Sequence, residues 1–229
     1  MSFDAYGFDF DHTLGRDNGL ERHAFFAYAR DLGGALDEHD ATLGHDIDRA
    51  LDRVRSGGSA LELEIPAFYA AHGMHNASAA AWKERCFALV DSHVQASAGA
   101  VELLRTLREH GIPAAILTNG WTPLQQMKIE RALGEDVVPA ILVSDQIGAL
   151  KPARAAFAAL AGALGLPPER IVYVGDNPAV DVAGSLAAGM QAVWVDVDGV
   201  AYPPEILPPT LRVTALGELA ERIENTQVP

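Results

Sequence analysis

The second half of the sequence alternates short apolar runs with helical stretches of ten or more residues. After a first apolar run at residues 5–10, the alternation starts near residue 97, with apolar runs at 112–117, 140–143, 171–174 and 191–195. Polar residues or glycine follow these runs before the helical spacing resumes. Strands that alternate with helices of this length are typical of parallel sheets. The sequence therefore predicts an α/β fold built on a doubly wound parallel sheet.

Residues 17–95 have a different character, because strand-like runs are absent and alanine, leucine and charged residues recur at helical spacing. Amphipathic helices are predicted over 20–32, 37–54, 61–72 and 77–95, separated by breaks that contain glycine. The aromatic residues expected to form the core of this segment are Phe25, Phe26, Tyr28, Phe68, Tyr69 and Trp82. We therefore predict a core domain of residues 1–16 and 96–229, and a smaller α-helical cap domain of residues 17–95 inserted after the first strand. A last helix is expected near residues 216–223.

Polar side chains follow the apolar runs of the predicted core domain. They are Asp9, Asp11 and Thr13 after the first run, Thr118, Asn119 and Gly120 after the second, Lys151 after the third, and Asp176 and Asp181 after the fourth. Ligands of open parallel sheets bind at the carboxyl ends of the strands, so these residues are expected to face one crevice. Asp9 lies inside an apolar run, where a carboxylate would be a costly buried charge without a partner or a function.

Four carboxylates in one crevice would repel one another strongly. Two unit charges about 4 Å apart repel by about 4 kcal/mol at an effective dielectric constant near 20. Lys151 alone cannot balance four of them, so a divalent cation is implied. An all-oxygen ligand set favours a hard ion, Mg²⁺, over Zn²⁺.

Four segments, DFDHT, LTNG, ALKP and GDNPAVDVAGSLAAGM, resemble the four motifs of the haloacid dehalogenase-like hydrolases in content and in order. The resemblance extends from residue 5 to about residue 196, although the insert is similar only in position and expected architecture. It implies a Rossmann-like core with a helical cap. It also implies a Mg²⁺-dependent phosphatase that hydrolyses small phosphorylated metabolites through an aspartyl-phosphate.

The resemblance implies a role for each matching residue. Asp9 would attack phosphorus as the nucleophile. Asp11, expected among close negative neighbours, would protonate the leaving oxygen and then deprotonate the attacking water. The expected phosphate-binding groups are the Thr118 hydroxyl, the N–H groups of Asn119 and Gly120, and Lys151, which would also hold Asp9 in place.

The same resemblance implies that the metal is bound by Asp9, by the backbone carbonyl of Asp11 and by Asp176. Asp181 would orient the metal or its waters. For Asp181 taken alone, capping of the following helix is an equally good interpretation. One departure from the family pattern is His12, at a position that often carries glycine or an acid.

Other interpretations remain open from the sequence. Thr118 could simply end a strand, and Lys151 could be a solvated loop residue. Arg49 and Arg53 could direct a basic face of the cap at the substrate, but pairing with neighbouring acids is the favoured interpretation. The alternative functions are a phosphomutase of the same family, a 2-haloacid dehalogenase and a non-catalytic phosphate-binding protein.

Charge and composition exclude several classes of protein. Asp and Glu number 31 against 17 Lys and Arg, which gives a formal net charge of −14 that would repel nucleic acid. No apolar run approaches the roughly 18 residues of a membrane helix, and the first residues do not resemble a signal peptide. The single cysteine, Cys86, suits a reducing compartment. We expect a cytoplasmic monomer or homodimer that binds neither nucleic acid nor membrane.

Overall fold

A computed structural model describes residues 3–55, 58–135, 137–196, 199 and 201–226. The chain divides into two compact units, one of Met1–Arg16 with Gln95–Pro229 and the other of Asp17–Val94. Gln95 falls in the first unit, one residue before the predicted boundary, because it pairs with Arg16 in a short antiparallel ribbon. No helix among the described residues is long and apolar enough to cross a membrane.

The first unit contains a six-stranded parallel sheet, which confirms the predicted fold class. Its strands are β1 (Ala5–Phe8), β4 (Ala114–Thr118), β5 (Ile141–Val143), β6 (Ile171–Gly175), β7 (Gln191–Val195) and β8 (Leu211–Val213), and the antiparallel ribbon is formed by β2 (Gly15–Arg16) and β3 (Gln95–Ala96). The order across the sheet is β5-β4-β1-β6-β7-β8. Because β1 pairs in parallel with both β4 and β6, the carboxyl ends of these three strands lie side by side.

Helices flank this sheet. They are α5 (Ala100–Glu109), α6 (Leu124–Leu133), α7 (Ser144–Ile147), α8 (Arg154–Leu164), α9 (Ala183–Ala187) and α10 (Gly217–Thr226). Phe157 and Leu160 of α8 pack among strand side chains that share one face, including Leu117 and Tyr173. Gly7 of β1 allows this approach, since a Cβ there would lie 2.4 Å from Leu160 Cδ2. The central strand and α8 are therefore packed too tightly for any side chain at residue 7.

The second unit consists of four helices, α1 (Leu20–Asp31), α2 (Ala41–Arg55), α3 (Leu61–Ala71) and α4 (Ala79–His93). Phe25 lies at its centre, with ring centroids 4.6 Å from Phe68, 5.3 Å from Trp82 and 5.8 Å from Tyr69. The Tyr69 hydroxyl donates a 2.7 Å hydrogen bond to the backbone carbonyl of Phe25. The aromatic residues predicted to form the core of this segment are all buried.

The two arginines that were considered for a substrate-facing surface both pair with acids of their own unit. Arg53 Nε lies 2.9 Å from Glu64 Oε1, and Arg49 pairs with Asp46. Both arginine side chains are more than half exposed. Arg49 therefore has one of the partners that the sequence favoured, whereas Arg53 pairs with Glu64 of α3 instead of an acid near it in the sequence.

Several elements differ from the prediction. β8 was not predicted, because a three-residue strand after a proline-rich stretch carries too few residues for a period to be detected. β1 ends at Phe8 rather than at residue 10, which leaves Asp9 in the loop. The helix predicted after Asp176 begins as one π-helical turn over Pro178–Val182 before α9. The last helix begins at Gly217 and extends to Thr226, beyond the predicted end.

Candidate active site at the carboxyl ends of the strands

The loops that follow β1 and β6 bring three acids together. Asp9 follows β1, and its backbone N–H donates to Val174 O in β6 at 2.9 Å. Asp176 follows β6, and Asp181 lies in the π-helical turn after it. One carboxylate oxygen from each acid lies within 4.8 Å of the others. This triad of Asp9, Asp176 and Asp181 offers oxygen donors that could hold a divalent cation.

Two further details position the triad. Gly175 leaves space for Asp181, since a Cβ at residue 175 would lie 2.5 Å from the Asp181 carboxylate carbon. The Asn177 N–H donates to Asp181 Oδ2 at 3.0 Å. Asn177 Oδ1 itself accepts from Ala179 N and Val180 N and so caps the turn. The capping interpretation of Asp181 is therefore wrong, because Asn177 caps the turn and the Asp181 carboxylate lies beside those of Asp9 and Asp176.

Lys151 is the cation of the triad and is 4% exposed. Its Nζ donates to Asp9 Oδ1 at 2.6 Å, to Asp181 Oδ1 at 2.8 Å and to the Tyr173 hydroxyl at 2.8 Å. Burial alone would lower the pKa of Lys151, but Asp181 and Asp9 outweigh it and the net shift is well upwards. Lys151 is therefore a permanently charged, buried group, and the interpretation of it as a solvated loop residue is wrong.

One ammonium does not neutralise three carboxylates. Burial, followed by the repulsion of Asp181 and Asp176, raises the pKa of Asp9 well above its ordinary value despite the attraction of Lys151. Burial and the charge of Asp181 raise the pKa of Asp176 to about 6. Burial and mutual repulsion therefore disfavour the charged forms of Asp9 and Asp176. A hard divalent cation fits this donor set.

The LTNG segment is anchored to the loop that carries Lys151. Asn119 Nδ2 donates to Lys151 O at 2.9 Å, and Lys151 N donates to Asn119 Oδ1 at 2.8 Å. The Gly120 N–H donates to Ser144 Oγ at 3.0 Å, and this hydroxyl donates back to Gly120 O at 3.1 Å. The Asn119 side chain thus fixes the backbone of Lys151, and the Gly120 N–H is already occupied by Ser144.

Asp11 and Thr118 lie on either side of Gln125, a residue of α6. Gln125 Nε2 lies 2.7 Å from Asp11 Oδ2 and 3.0 Å from Thr118 Oγ1. Lys128 Nζ forms an ion pair with Asp11 Oδ1. The expectation that Asp11 lies among negative groups is therefore wrong: its carboxylate lies between a cation and an amide.

The loop after β1 connects these groups. Thr13 Oγ1 donates weakly to Asp9 Oδ2 at 3.5 Å and to Asp176 Oδ1 at 3.4 Å. His12 adopts φ 62°, in the left-handed region that glycine occupies at no steric cost. The backbone conformation explains why glycine is common at this position. The position is exposed, so it also has room for the histidine side chain.

Among the described residues, those that contact the predicted site residues but were missed from the sequence include Gln125, Lys128, Ser144 and Tyr173. Tyr173 reads as an ordinary core aromatic of β6, and Ser144 as the end of a strand. A signal existed for the other two. Gln125 and Lys128 lie on the same face of α6 as Leu124 and Ile129, and polar residues on an apolar stripe need buried partners.

A family model described as haloacid dehalogenase-like hydrolase matches residues 3–189. Phosphoserine phosphatase of Thermus thermophilus is 39% identical over 116 residues, which cover 51% of this chain and 46% of that protein. Ribulose-1,5-bisphosphate 5-phosphatase of Halopiger xanaduensis is 29% identical over 204 residues, 82% of this chain and 83% of that protein. The chain spans about half the length of several relatives that it matches.

Solved structures share the fold. The HAD-hydrolase YfnB from Bacillus subtilis, described as bound to magnesium, superposes with a TM-score of 0.78 at 20% identity, covering 98% of this chain and all of that one. Dehalogenases occur both among such structures and among the relatives in sequence. Similarity at this level of identity establishes the architecture and leaves the chemistry to the residues of the site.

Proposed function

Because the chain belongs to the haloacid dehalogenase-like hydrolases, we propose that it is a magnesium-dependent phosphatase of small phosphomonoesters that acts through an aspartyl-phosphate on Asp9. The observation that carries this proposal is the acid triad of Asp9, Asp176 and Asp181, gathered within 4.8 Å around a single ammonium. Relatives named as phosphatases support it. A small phosphorylated metabolite in the cytoplasm is the proposed substrate.

The metal would be held by Asp9, Asp176 and the backbone carbonyl of Asp11, with Asp181 orienting the metal or its waters. When bound, Mg²⁺ supplies positive charge that draws the anionic phosphate into an otherwise acidic site and polarises it. Asp181 already has its two oxygens engaged by Lys151 and by the Asn177 N–H, which suits an orienting role.

The chain's own residues would carry the reaction in two steps. In the first, an Asp9 carboxylate oxygen bonds to phosphorus while the bond from phosphorus to the leaving oxygen breaks, and the Asp11 carboxyl gives that oxygen its proton. In the second, Asp11 removes a proton from water, the water oxygen bonds to phosphorus, and the bond from phosphorus to Asp9 breaks. Asp9 and Asp11 are then restored and free phosphate leaves.

The phosphoryl oxygens would be bound by Lys151, by the Thr118 hydroxyl and by the N–H groups of Asn119 and Gly120. Lys151 contacts Asp9 directly and so holds the nucleophile while it neutralises the phosphate. The Gly120 N–H must first leave Ser144 Oγ before it can serve. We therefore assign the larger share of phosphate binding to Lys151 and Thr118.

A dehalogenase is the main alternative, since dehalogenases are among the relatives. Attack of an aspartate on carbon expels halide, which needs neither a proton nor a cation. Asp11 would then have no leaving oxygen to protonate, and Asp176 would be a half-buried acid with a raised pKa and no function. The site therefore favours phosphorus chemistry. A phosphomutase would use the same acids and differ only in the acceptor.

The first test is hydrolysis of p-nitrophenyl phosphate in Mg²⁺ and in EDTA, followed by a panel of phosphorylated metabolites and of 2-haloacids. We expect turnover with Mg²⁺ and none in EDTA. The variant Asp9→Asn should abolish turnover, because the change is nearly isosteric and removes only the nucleophilic oxygen and its charge. Circular dichroism should show an intact fold. Turnover by Asp9→Asn, or halide release without metal, would contradict the proposal.

A further inference from the structure

Two side chains of α6 converge on the Asp11 carboxylate and engage one oxygen each. Gln125 Nε2 donates to Oδ2 at 2.7 Å, and Lys128 Nζ pairs with Oδ1. Gln125 is 3% exposed and Lys128 is 2% exposed, whereas the Asp11 side chain is 27% exposed. Asp11 is thus held on the buried side of its carboxylate, and the rest of its side chain is exposed to solvent.

This arrangement is costly to build, which argues against an incidental contact. A buried ammonium is strongly destabilising unless it is paired. The whole sequence contains three lysines, and two of them, Lys128 and Lys151, are buried beside the candidate site. Lys151 faces the nucleophile, and Lys128 faces the other reacting carboxylate.

Gln125 also ties Asp11 to the phosphate loop. Its Nε2 lies 3.0 Å from Thr118 Oγ1 and 2.8 Å from Asn119 O. Gly120 approaches so closely that a Cβ there would lie 2.7 Å from Gln125 Cγ. The side-chain amide of Gln125 therefore fixes the Asp11 carboxylate relative to the Thr118 hydroxyl.

We propose that Gln125 and Lys128 are positioning residues that orient the Asp11 carboxylate for proton transfer to the leaving oxygen. This inference rests on the proposed phosphatase function. A carboxylate has about four lone-pair sites, of which these contacts use two, so two sites remain for the leaving group while the plane of the carboxylate is fixed. Fixing that plane keeps the proton directed at the leaving oxygen, where a freely rotating side chain would spend most of its time misaligned.

Substrates with different leaving groups distinguish this positioning role from a purely structural role of the two residues. Phenolate is a strong base and needs a proton as it leaves, whereas 2,4-dinitrophenolate leaves readily as an anion. Phenyl phosphate and 2,4-dinitrophenyl phosphate are similar in shape, and kcat/KM reports the step in which the leaving group departs. A residue that positions the acid affects the first ester selectively, while a residue that only maintains the fold affects both esters equally.

The experiment compares kcat/KM for both esters in the variants Lys128→Met and Gln125→Met. Matched controls are Lys83→Met, the same change at an ion-paired lysine of the helical unit, and Gln126→Met, the same change one position along α6. Since general acid catalysis contributes roughly 10²- to 10⁴-fold, we expect a loss of roughly 10- to 100-fold on phenyl phosphate and less than about 3-fold on the dinitrophenyl ester. The controls should retain wild-type values on both.

Equal losses on the two esters, or no loss on phenyl phosphate, would overturn the inference. Circular dichroism and thermal melting establish that each variant folds. If Lys128→Met does not fold, Gln125→Met, which removes no charge, decides the question by the same ratio. No turnover of either ester by the wild-type protein with Mg²⁺ would instead refute the proposed function, so the two failures are distinguishable.

Discussion

Asp176 should make the metal-free protein less stable, so its removal should stabilise the fold. Burial and the neighbouring charge of Asp181 raise the pKa of Asp176 from 3.8 to about 6. A carboxyl with a raised pKa in the folded state binds its proton more tightly there than in the unfolded chain. Its contribution to stability is therefore complete below about pH 4 and is lost as the pH rises through about 6.

The magnitude follows from the shift. A change of about two pKa units corresponds to about 3 kcal/mol, which is an upper value because Asp176 is partly exposed. The variant Asp176→Asn cannot ionise, and its amide resembles the protonated acid in shape. We therefore expect Asp176→Asn to exceed the wild type in free energy of unfolding at pH 7.5 in EDTA by up to about 3 kcal/mol, and to match it near pH 4.

Urea unfolding followed by circular dichroism at pH 4, 5, 6, 7 and 8 in EDTA measures this difference directly. Addition of Mg²⁺ should reverse the order, because a ligand at about 1,000 times its Kd stabilises the wild type by about 4.1 kcal/mol, whereas Asp176→Asn has lost a metal ligand. A wild-type protein that remains more stable than Asp176→Asn in EDTA at pH 7.5 would refute the reasoning. So would a difference that does not change between pH 4 and 7.

Three further variants test the packing in and around the site. Gly175→Ala places a methyl carbon 2.5 Å from Asp181, so we expect a loss of about 1–3 kcal/mol and roughly tenfold weaker Mg²⁺ activation. Gly162→Ala in α8, with no atom within 4 Å of the new carbon, should gain about 0.5–1 kcal/mol; equal melting temperatures for both would contradict this. Tyr173→Phe removes a hydroxyl that accepts from Lys151 and donates to Leu117 O, and should cost about 1–3 kcal/mol in urea unfolding. An unchanged unfolding midpoint would exclude that role.

The acids of the site were predictable from the sequence because strand ends are visible in it. Asp9 and Asp176 each follow an apolar run, and the parallel connection of those runs requires their carboxyl ends to share an edge. The fold class follows from the same alternation. The structure bears out the gathering of Asp9, Asp176 and Asp181, and it adds that Lys151 contacts two of them.

The environment of Asp11 was not predictable in the same way. Its partners come from α6, which is more than a hundred residues away in sequence, and helical periodicity indicates only that one face is buried. The position of Lys128 on the apolar stripe of α6 indicates that it is buried, but its pairing with Asp11 depends on tertiary packing that local patterns do not encode. The same limit applies to Tyr173, whose hydroxyl contacts Lys151 only because the loop before α8 approaches β6 in the folded protein.

The antiparallel ribbon of β2 and β3 has a consequence for how such a protein diversifies. Arg16 pairs with Gln95, so the chain leaves the first unit and re-enters it at hydrogen-bonded neighbours. Residues 17–94 therefore connect β2 to β3 in the same way that the turn of a hairpin connects its two strands. Loop length adds little to the closure entropy, since each doubling costs only about 0.6 kcal/mol. This module can therefore be lengthened, shortened or exchanged at two points that are adjacent in the structure, while the acids of the candidate site keep their positions in the first unit.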